Sequence, residues 1–199
     1  FLLAFVLKKR FKVLIAMATF NNQIGVPLTL LKLRRSHEIV VLELGTNHFG
    51  EIDYLSKICQ PNIAIITNIA PSHLEFFKNL DNVFKEKYSL IRNLKQEKVA
   101  IVNGDDRYLN RLNQYPNPKM VIKFGINNKS DFKAENIELI NEKIRFYLNG
   151  KISIDLNTTY FEVNNGWYEE GSNYKIKVLA TDGVNTGYNV SNGTFTIIP

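Results

Sequence analysis

Short apolar runs alternate with helix-like segments over the first 125 residues of the chain. The runs are rich in β-branched residues and do not alternate with polar positions, as is typical of strands buried on both faces of a sheet: Val13–Ile15, Ile39–Leu42, Ile63–Ile66, Val99–Val102 and Met120–Ile122. Apolar residues recur at three- and four-residue spacing between them, which predicts helices over 50–58, 82–94 and 105–114 and a further helix from Pro27. This order predicts an α/β fold, a parallel sheet with helices on both faces.

The pattern changes twice after residue 125. Shorter apolar runs separated by turn residues predict a small antiparallel extension over 130–156. The rest of the chain is rich in Asn, Gly, Thr and Tyr, and alternation predicts strands at Tyr174–Ala180 and Thr194–Ile197. We therefore expect an α/β domain over residues 1–156, followed by a short all-β element over 157–199.

Composition narrows the class of protein. A chain of 199 residues with 45% hydrophobic and 22% charged residues is neither disordered nor collagen-like. No apolar run reaches the ~18 residues that a membrane span needs. The apolar start Phe1–Leu7 has no basic segment before it and no cleavage site after it, so we do not interpret it as a signal peptide. The single cysteine, Cys59, cannot form an internal disulfide, which favours a reducing compartment.

Charge is unevenly distributed along the chain. The net charge of +6 combines +8 over residues 1–156 with −2 over residues 157–199. A basic domain suits anionic substrates such as nucleotides, and a solvated basic surface explains the same balance equally well.

Polar residues near the ends of the predicted strands are the candidates for chemistry, because parallel strands present their carboxyl ends to one crevice. Glu43 closes the second strand, His73 follows the third, and Lys87 lies on the next helix. A carboxylate and an imidazole at neighbouring strand ends fit Mg²⁺, which completes its coordination with phosphate and water. Each residue also has an ordinary structural interpretation, as a strand-end acid, a loop histidine or a helix-surface lysine.

Seven blocks of sequence, taken in order, favour the first interpretation. They are Thr19–Leu31, Glu43–Gly45, Gly50–Ile52, Thr67–Ile69, Ser72–Glu75, Lys87 and Val102–Asp106. In this order they resemble the P-loop-type central domain of the Mur ligase family, and in particular the members that attach D-alanyl-D-alanine. The resemblance covers residues 1–156.

The resemblance implies an ATP-dependent, ADP-forming ligase of peptidoglycan precursor synthesis. In such an enzyme ATP phosphorylates the terminal carboxylate of UDP-MurNAc-tripeptide, and the amine of D-Ala-D-Ala then displaces phosphate. ATP and Mg²⁺ are the implied cofactors, with no nucleic acid partner, and a cytoplasmic monomer is the implied form.

The same resemblance assigns roles to individual residues. Glu43 and His73 match the residues that bind Mg²⁺, and Lys87 matches a lysine that is carbamylated to become a ligand of a second Mg²⁺. Two further positions, Asn21 and Asn22, match an asparagine pair on the substrate side of the site. Asn68 matches a residue that lines the same crevice.

Departures from the family pattern are also visible. The family's glycine-rich phosphate-binding loop corresponds to sequence just before Phe1, and Ala18-Thr19 stands where relatives have Gly-Asn. Residues 157–199 instead resemble the closing strands of an extracellular immunoglobulin-like module. We therefore expect a ligase fragment that binds ATP poorly and forms no peptide bond alone.

Two other functions compete with this interpretation. A ligase similar to folylpolyglutamate synthase would share the fold and the modified lysine, but the block Asn21–Pro27 argues against it. A non-catalytic binding or adhesion protein, defined by its β-rich tail, is the alternative from a different class.

Overall fold

The computed structural model describes residues 2–16, 20–95, 98–116, 118–140, 143–149, 152–157, 160–163, 175–176 and 194–198. Contacts divide the chain into two compact units. The first comprises residues 3–123 and 192–199, and the second comprises residues 124–191.

Helices and strands alternate along the first unit, as the apolar pattern predicts. In chain order the elements are α1 (Leu2–Leu7), β1 (Val13–Ile15), α2 (Gly25–Leu30), β2 (Ile39–Leu44), α3 (Glu51–Cys59), β3 (Ile63–Ile66), α4 (Leu74–Phe77), α5 (Leu80–Arg92), β4 (Val99–Asn103), a 3-10 helix (Leu109–Gln114), β5 (Met120–Gly125) and β11 (Thr194–Ile198).

The sheet of the first unit has the strand order β1-β2-β11-β3-β4-β5. β1 pairs with β2 in parallel, and β3 pairs with β4 in parallel. β11 lies between β2 and β3 and is antiparallel to both. Because β11 opposes each of them, β2 and β3 run in the same direction, and the carboxyl ends of β2, β3 and β4 lie along one edge of the sheet.

Consecutive apolar residues of β2 explain why its sequence does not alternate. Val40, Val41 and Leu42 are all buried, so both faces of this strand are covered. Helices α3 and α5 contact each other, and they contribute Leu55 and Leu90 to the same apolar core. The core therefore holds α5, the helix that carries Lys87, at a fixed place in the unit.

The structure differs from the local predictions in three places. β2 continues to Leu44, so Glu43 lies within the strand instead of closing it. Regular structure after β4 is a 3-10 helix over Leu109–Gln114, not a helix over 105–114, because the Asp106 side chain accepts hydrogen bonds from the backbone N–H groups that open it. The strand predicted at Thr194–Ile197 is present as β11, but its position within the sheet, antiparallel to β2 and β3, was not predicted.

The second unit contains the predicted antiparallel meander. Its strands are β6 (Phe132–Ile140), β7 (Lys143–Leu148), β8 (Ile152–Asn157), β9 (Tyr160–Val163) and β10 (Lys175–Ile176), each antiparallel to the next. The remainder of the strand predicted at Tyr174–Ala180 lies outside the described residues. The proposed boundary at residue 156 stays a prediction.

Among the described residues, no helix is long and apolar enough to cross a lipid bilayer.

Candidate functional site

The carboxyl edge of the first unit's sheet gathers polar residues from three neighbouring segments. Glu43 lies near the end of β2, Asn68 follows β3, and Asp106 follows β4. The edge is completed by α5, which connects β3 to β4 and carries Lys87. A crevice at this edge is the position at which open α/β sheets bind ligands.

Asn21 connects the segment after β1 to Glu43. Its Nδ2 donates a hydrogen bond of 3.4 Å to Glu43 Oε1, and its backbone oxygen accepts one of 2.8 Å from the Gly45 amide. A Cβ added at Gly45 would lie 2.9 Å from the Asn21 side chain, so any other residue here would displace the amide that bonds to Glu43. Asn21 therefore orients a carboxylate that is only partly buried.

The side chain of Asn22 accepts hydrogen bonds at the start of α2. Its Oδ1 accepts hydrogen bonds from the amides of Gly25, at 2.9 Å, and Ile24, at 3.1 Å. These bonds satisfy N–H groups at the start of α2, where a helix lacks internal partners. The side-chain oxygen of Asn22 is therefore engaged by the backbone.

Lys87 is withdrawn from water although it is a lysine. Its side chain is 2% exposed, and its Nζ donates a hydrogen bond of 3.1 Å to the backbone oxygen of Asn68. Burial lowers the pKa of Lys87 to about 8, against the opposing effect of the Asp106 carboxylate. The lowered pKa makes a neutral amine accessible near physiological pH, which an exposed lysine does not provide.

The side chain of Asn68 has an unsatisfied acceptor at the same edge. Its Oδ1 is buried and finds no hydrogen-bond partner among the described residues. Buried side-chain oxygens are normally paired, so an orphaned acceptor at a strand end suits a ligand, an ion or its water.

Asp106 fixes the loop that carries Asn68. One carboxylate oxygen accepts a bond of 2.7 Å from the Ile69 amide, and the other accepts from Tyr108 at 2.8 Å and Leu109 at 3.0 Å. The residue lies in a block that carries the family resemblance, yet no role was predicted for it. Its place just after a predicted strand, the criterion that selected Glu43, would have identified it.

Glu86, next to Lys87 on α5, fixes the loop that follows β2. The carboxylate is 5% exposed and accepts hydrogen bonds of 2.8 Å from the amides of Gly50 and Ile52. The hydroxyl of Thr46 donates to the same carboxylate at 3.4 Å. Because these donors open α3, the negative charge also meets the positive end of that helix. Sequence reasoning missed Glu86.

His73 is held in a left-handed backbone conformation, with φ of +48°, at the start of α4. Its imidazole is about half exposed, with Nδ1 3.8 Å from a Glu75 carboxylate oxygen. Two ring pairs join α4 to the loop after β2: Phe76 with His48 at 4.0 Å between centroids, and Phe77 with Phe49 at 5.0 Å. These contacts bring the segment of His73 against the segment that follows Glu43.

These residues do not form a metal site in which the protein supplies every ligand. Within the described ranges, no three His, Cys, Asp or Glu side chains are grouped so that they could hold an ion. The donors do fit a site shared with phosphate, because Mg²⁺ takes one or two carboxylates and keeps water and phosphate for its other positions. Glu43 and the unpaired Asn68 Oδ1 are oxygen donors of that kind.

Comparison with known proteins identifies the class. Residues 2–168 match the model of the Mur ligase middle domain. The chain belongs to this family. Its relatives include the UDP-N-acetylmuramoyl-tripeptide–D-alanyl-D-alanine ligases of Haemophilus influenzae, at 41% identity over 72% of this chain, and of Escherichia coli, at 36% identity over 64%. The chain spans 32% and 28% of their respective lengths.

Solved structures place the fold in the same family. MurF from Acinetobacter baumannii superimposes with a TM-score of 0.68 and 33% identity, covering 81% of this chain and 34% of that one. MurF from Thermotoga maritima, solved in complex with ADP, also has a TM-score of 0.68, with 25% identity over 78% of this chain and 36% of that one.

These findings confirm the resemblance and the α/β fold that the sequence predicts. They favour the ligase interpretation over a binding or adhesion protein, since the family match covers most of the chain. The roles assigned to Glu43, His73, Lys87 and the asparagines Asn21, Asn22 and Asn68 stay predictions.

We expect Glu86→Ala to lower the free energy of unfolding by about 3 kcal/mol, because it leaves the buried Ile52 amide without an acceptor. Urea unfolding followed by circular dichroism measures the change. Glu75→Ala is the matched control, since that side chain is 64% exposed, and it should change stability by less than about 0.5 kcal/mol. Equal effects of the two substitutions would contradict the capping role of Glu86.

The lowered pKa of Lys87 predicts how the free energy of unfolding changes with pH. Its folded-state pKa of about 8 lies below the usual 10.5, so between these values the unfolded chain binds a proton that the folded chain releases. In CO₂-free buffer, the free energy of unfolding should therefore rise between pH 8 and pH 10.5. The rise should be larger in the unsubstituted chain than in Lys87→Met, by up to about 3 kcal/mol. Urea unfolding of both proteins across this range tests it, and parallel pH profiles would show that Lys87 keeps an ordinary pKa.

Proposed function

We propose that this chain is the central, nucleotide-facing part of an ATP-dependent ligase that joins D-Ala-D-Ala to UDP-MurNAc-tripeptide. Support comes from the names of its relatives and from the ADP complex of the Thermotoga maritima MurF. The observation that carries the proposal is the buried Lys87 amine, held on the Asn68 carbonyl at the edge where ligands bind. The enzyme would act in the cytoplasm, as a monomer.

Lys87 is proposed to work as a carbamate. The lysine ammonium first loses a proton to water, and the neutral amine then attacks the carbon of CO₂. A nitrogen–carbon bond forms, one carbon–oxygen π bond breaks with its electron pair passing to oxygen, and a second proton leaves the nitrogen for water, so that the original cation becomes a carbamate anion. With a pKa of about 8, roughly a tenth of the amines are neutral at pH 7, compared with fewer than about one in a thousand for an ordinary lysine. Burial therefore favours the reaction. It also means that the anionic product needs a cation beside it.

The remaining residues are assigned around that group. Glu43 and His73 would hold one Mg²⁺, and carbamylated Lys87 would contribute to a second. Asn68 would place its unpaired Oδ1 on the nucleotide side, while Asn21 and Asn22 would shape the substrate side. When bound, Mg²⁺ neutralises phosphate charge and orients the transferred group.

The two asparagines have different parts in this scheme. Asn21 acts through Glu43, because its Nδ2 donates to that carboxylate and keeps one oxygen oriented. Asn22 acts through α2, because its Oδ1 is engaged by the Gly25 and Ile24 amides, and only its amide nitrogen is left for substrate.

A chimera tests the proposed reaction. Residues 2–156 would replace the corresponding segment of the Haemophilus influenzae ligase, and phosphate release from ATP would be measured with both substrates present. We expect turnover that requires D-Ala-D-Ala and falls by about a hundredfold or more in Glu43→Ala.

Glu38→Ala provides the control, since Glu38 precedes the same strand at its opposite end, and it should preserve turnover within about threefold. A folded chimera that releases no phosphate, or one that is indifferent to Glu43→Ala, would contradict the proposed function.

A further inference from the structure

Two basic segments lie side by side at the amino edge of the sheet, opposite the candidate site. The first contains four cations just before β1, and the second contains three just before β2: Lys8, Lys9, Arg10 and Lys12, then Lys32, Arg34 and Arg35. Glu38 is the single acid in the first 42 residues of the sequence. These seven cations and their apolar neighbours Phe5, Leu31 and Leu33 are called the basic face below.

Strand register brings the two segments together. β1 and β2 are parallel neighbours in which Val13 pairs with Ile39, so the residues that precede them emerge at the same edge. Backbone contacts continue past the strands: the Glu38 amide donates to the Lys12 oxygen at 2.9 Å, and the Lys12 amide donates to a Glu38 carboxylate oxygen at 2.9 Å. The basic face is therefore a product of the fold and not of sequence proximity alone.

The cations of the basic face are left without neutralising partners. All seven are exposed, and none forms an ion pair with any described residue. Two of them lie over aromatic rings of the same segment, Lys9 over Phe5 at 4.9 Å and Arg10 over Phe11 at 5.7 Å. Concentrated positive charge of this kind attracts a polyanion.

Apolar side chains are exposed among these cations. Leu31 is 81% exposed, Leu33 is 49% exposed and Phe5 is 38% exposed. Leucines interleaved with lysines and arginines suit the boundary between lipid headgroups and acyl chains, where the apolar side chains enter and the cations meet phosphates.

We propose that the basic face binds the surface of a bilayer that contains anionic phospholipid. Nucleic acid is the less suitable polyanion, because the most exposed apolar groups, Leu31 and Leu33, are aliphatic and offer no ring on which a base could stack. A second copy of the chain is also unsuitable, because two such faces would repel each other.

The orientation on a bilayer leaves the candidate site accessible. Ile39 begins β2 at the basic face, and Glu43 lies four residues further along the strand, about 13 Å away at the usual strand rise. A bilayer at the amino edge would thus contact one end of β2 while the carboxyl edge faces water. Binding need not compete with ligands of the site.

Vesicle sedimentation with the 199-residue chain tests this proposal. We expect binding to vesicles of phosphatidylcholine mixed with phosphatidylglycerol, weakening as salt is raised, and little binding to phosphatidylcholine alone. Arg34→Glu/Arg35→Glu should lower the binding constant by about tenfold or more, and Lys9→Glu/Arg10→Glu should act in the same direction. Leu31→Ser/Leu33→Ser should also weaken binding, by about threefold or more.

Lys78→Glu/Arg107→Glu is the matched control, because it changes the net charge equally at exposed cations in the segments that follow β3 and β4, at the carboxyl edge of the sheet. Circular dichroism establishes that each variant is folded. The proposal is overturned by absence of binding to the mixed vesicles, by equal binding to phosphatidylcholine alone, or by equal losses in the control and the Arg34/Arg35 variant. Tighter binding to single-stranded or duplex DNA than to the mixed vesicles would assign the face to nucleic acid instead.

Discussion

A lysine amine that is removed from water must find partners or lose its proton, and Lys87 meets this constraint at the carboxyl edge of the sheet. Its amine donates a hydrogen bond to the Asn68 backbone oxygen, and the loop of Asn68 is in turn fixed by the Asp106 carboxylate through the Ile69 amide. The position of the amine therefore depends on two loops that follow different strands. The chemistry proposed for Lys87 depends on the same contacts, because they hold a poorly hydrated nitrogen on the backbone oxygen of Asn68, the residue whose side-chain oxygen is buried without a partner among the described residues.

Helix α5 connects that constraint to the other half of the site. Adjacent residues on the helix contact different loops, with Glu86 on the amides that open α3 and Lys87 on the segment after β3. The loop whose amides donate to Glu86 follows Glu43 by only a few residues. Aromatic contacts join this loop to the helix that begins after His73. A single helix, anchored in the apolar core, thus sets the relation between the loops that carry the candidate ligands.

Sequence alone predicted the parts of this arrangement that depend on local pattern. Runs of β-branched residues located the strands, and the strand-end criterion selected Glu43. The task of Glu86 escaped it, because the amides that donate to its carboxylate lie more than 30 residues away along the chain. Asp106 meets the strand-end criterion, but its bond from the Ile69 amide, 37 residues away, has no local signature. The role of Asn22 on the substrate side stays a prediction, and the bonds that engage its oxygen at the start of α2 became visible only in the folded backbone. The pairing of β11 with β2 and β3 is likewise long-range and has no local signature.

Carbon-13 NMR of the chain equilibrated with labelled bicarbonate tests most directly whether the buried Lys87 amine is the reactive group of the site. We expect a carbamate signal that Lys87→Arg abolishes and that Lys85→Arg, a substitution of an exposed neighbour on the same helix, preserves. The signal should grow as the pH is raised towards 8, because the neutral fraction of an amine with a pKa of about 8 increases over that range. Absence of a carbamate from the folded chain, or a signal that survives Lys87→Arg, would contradict the account.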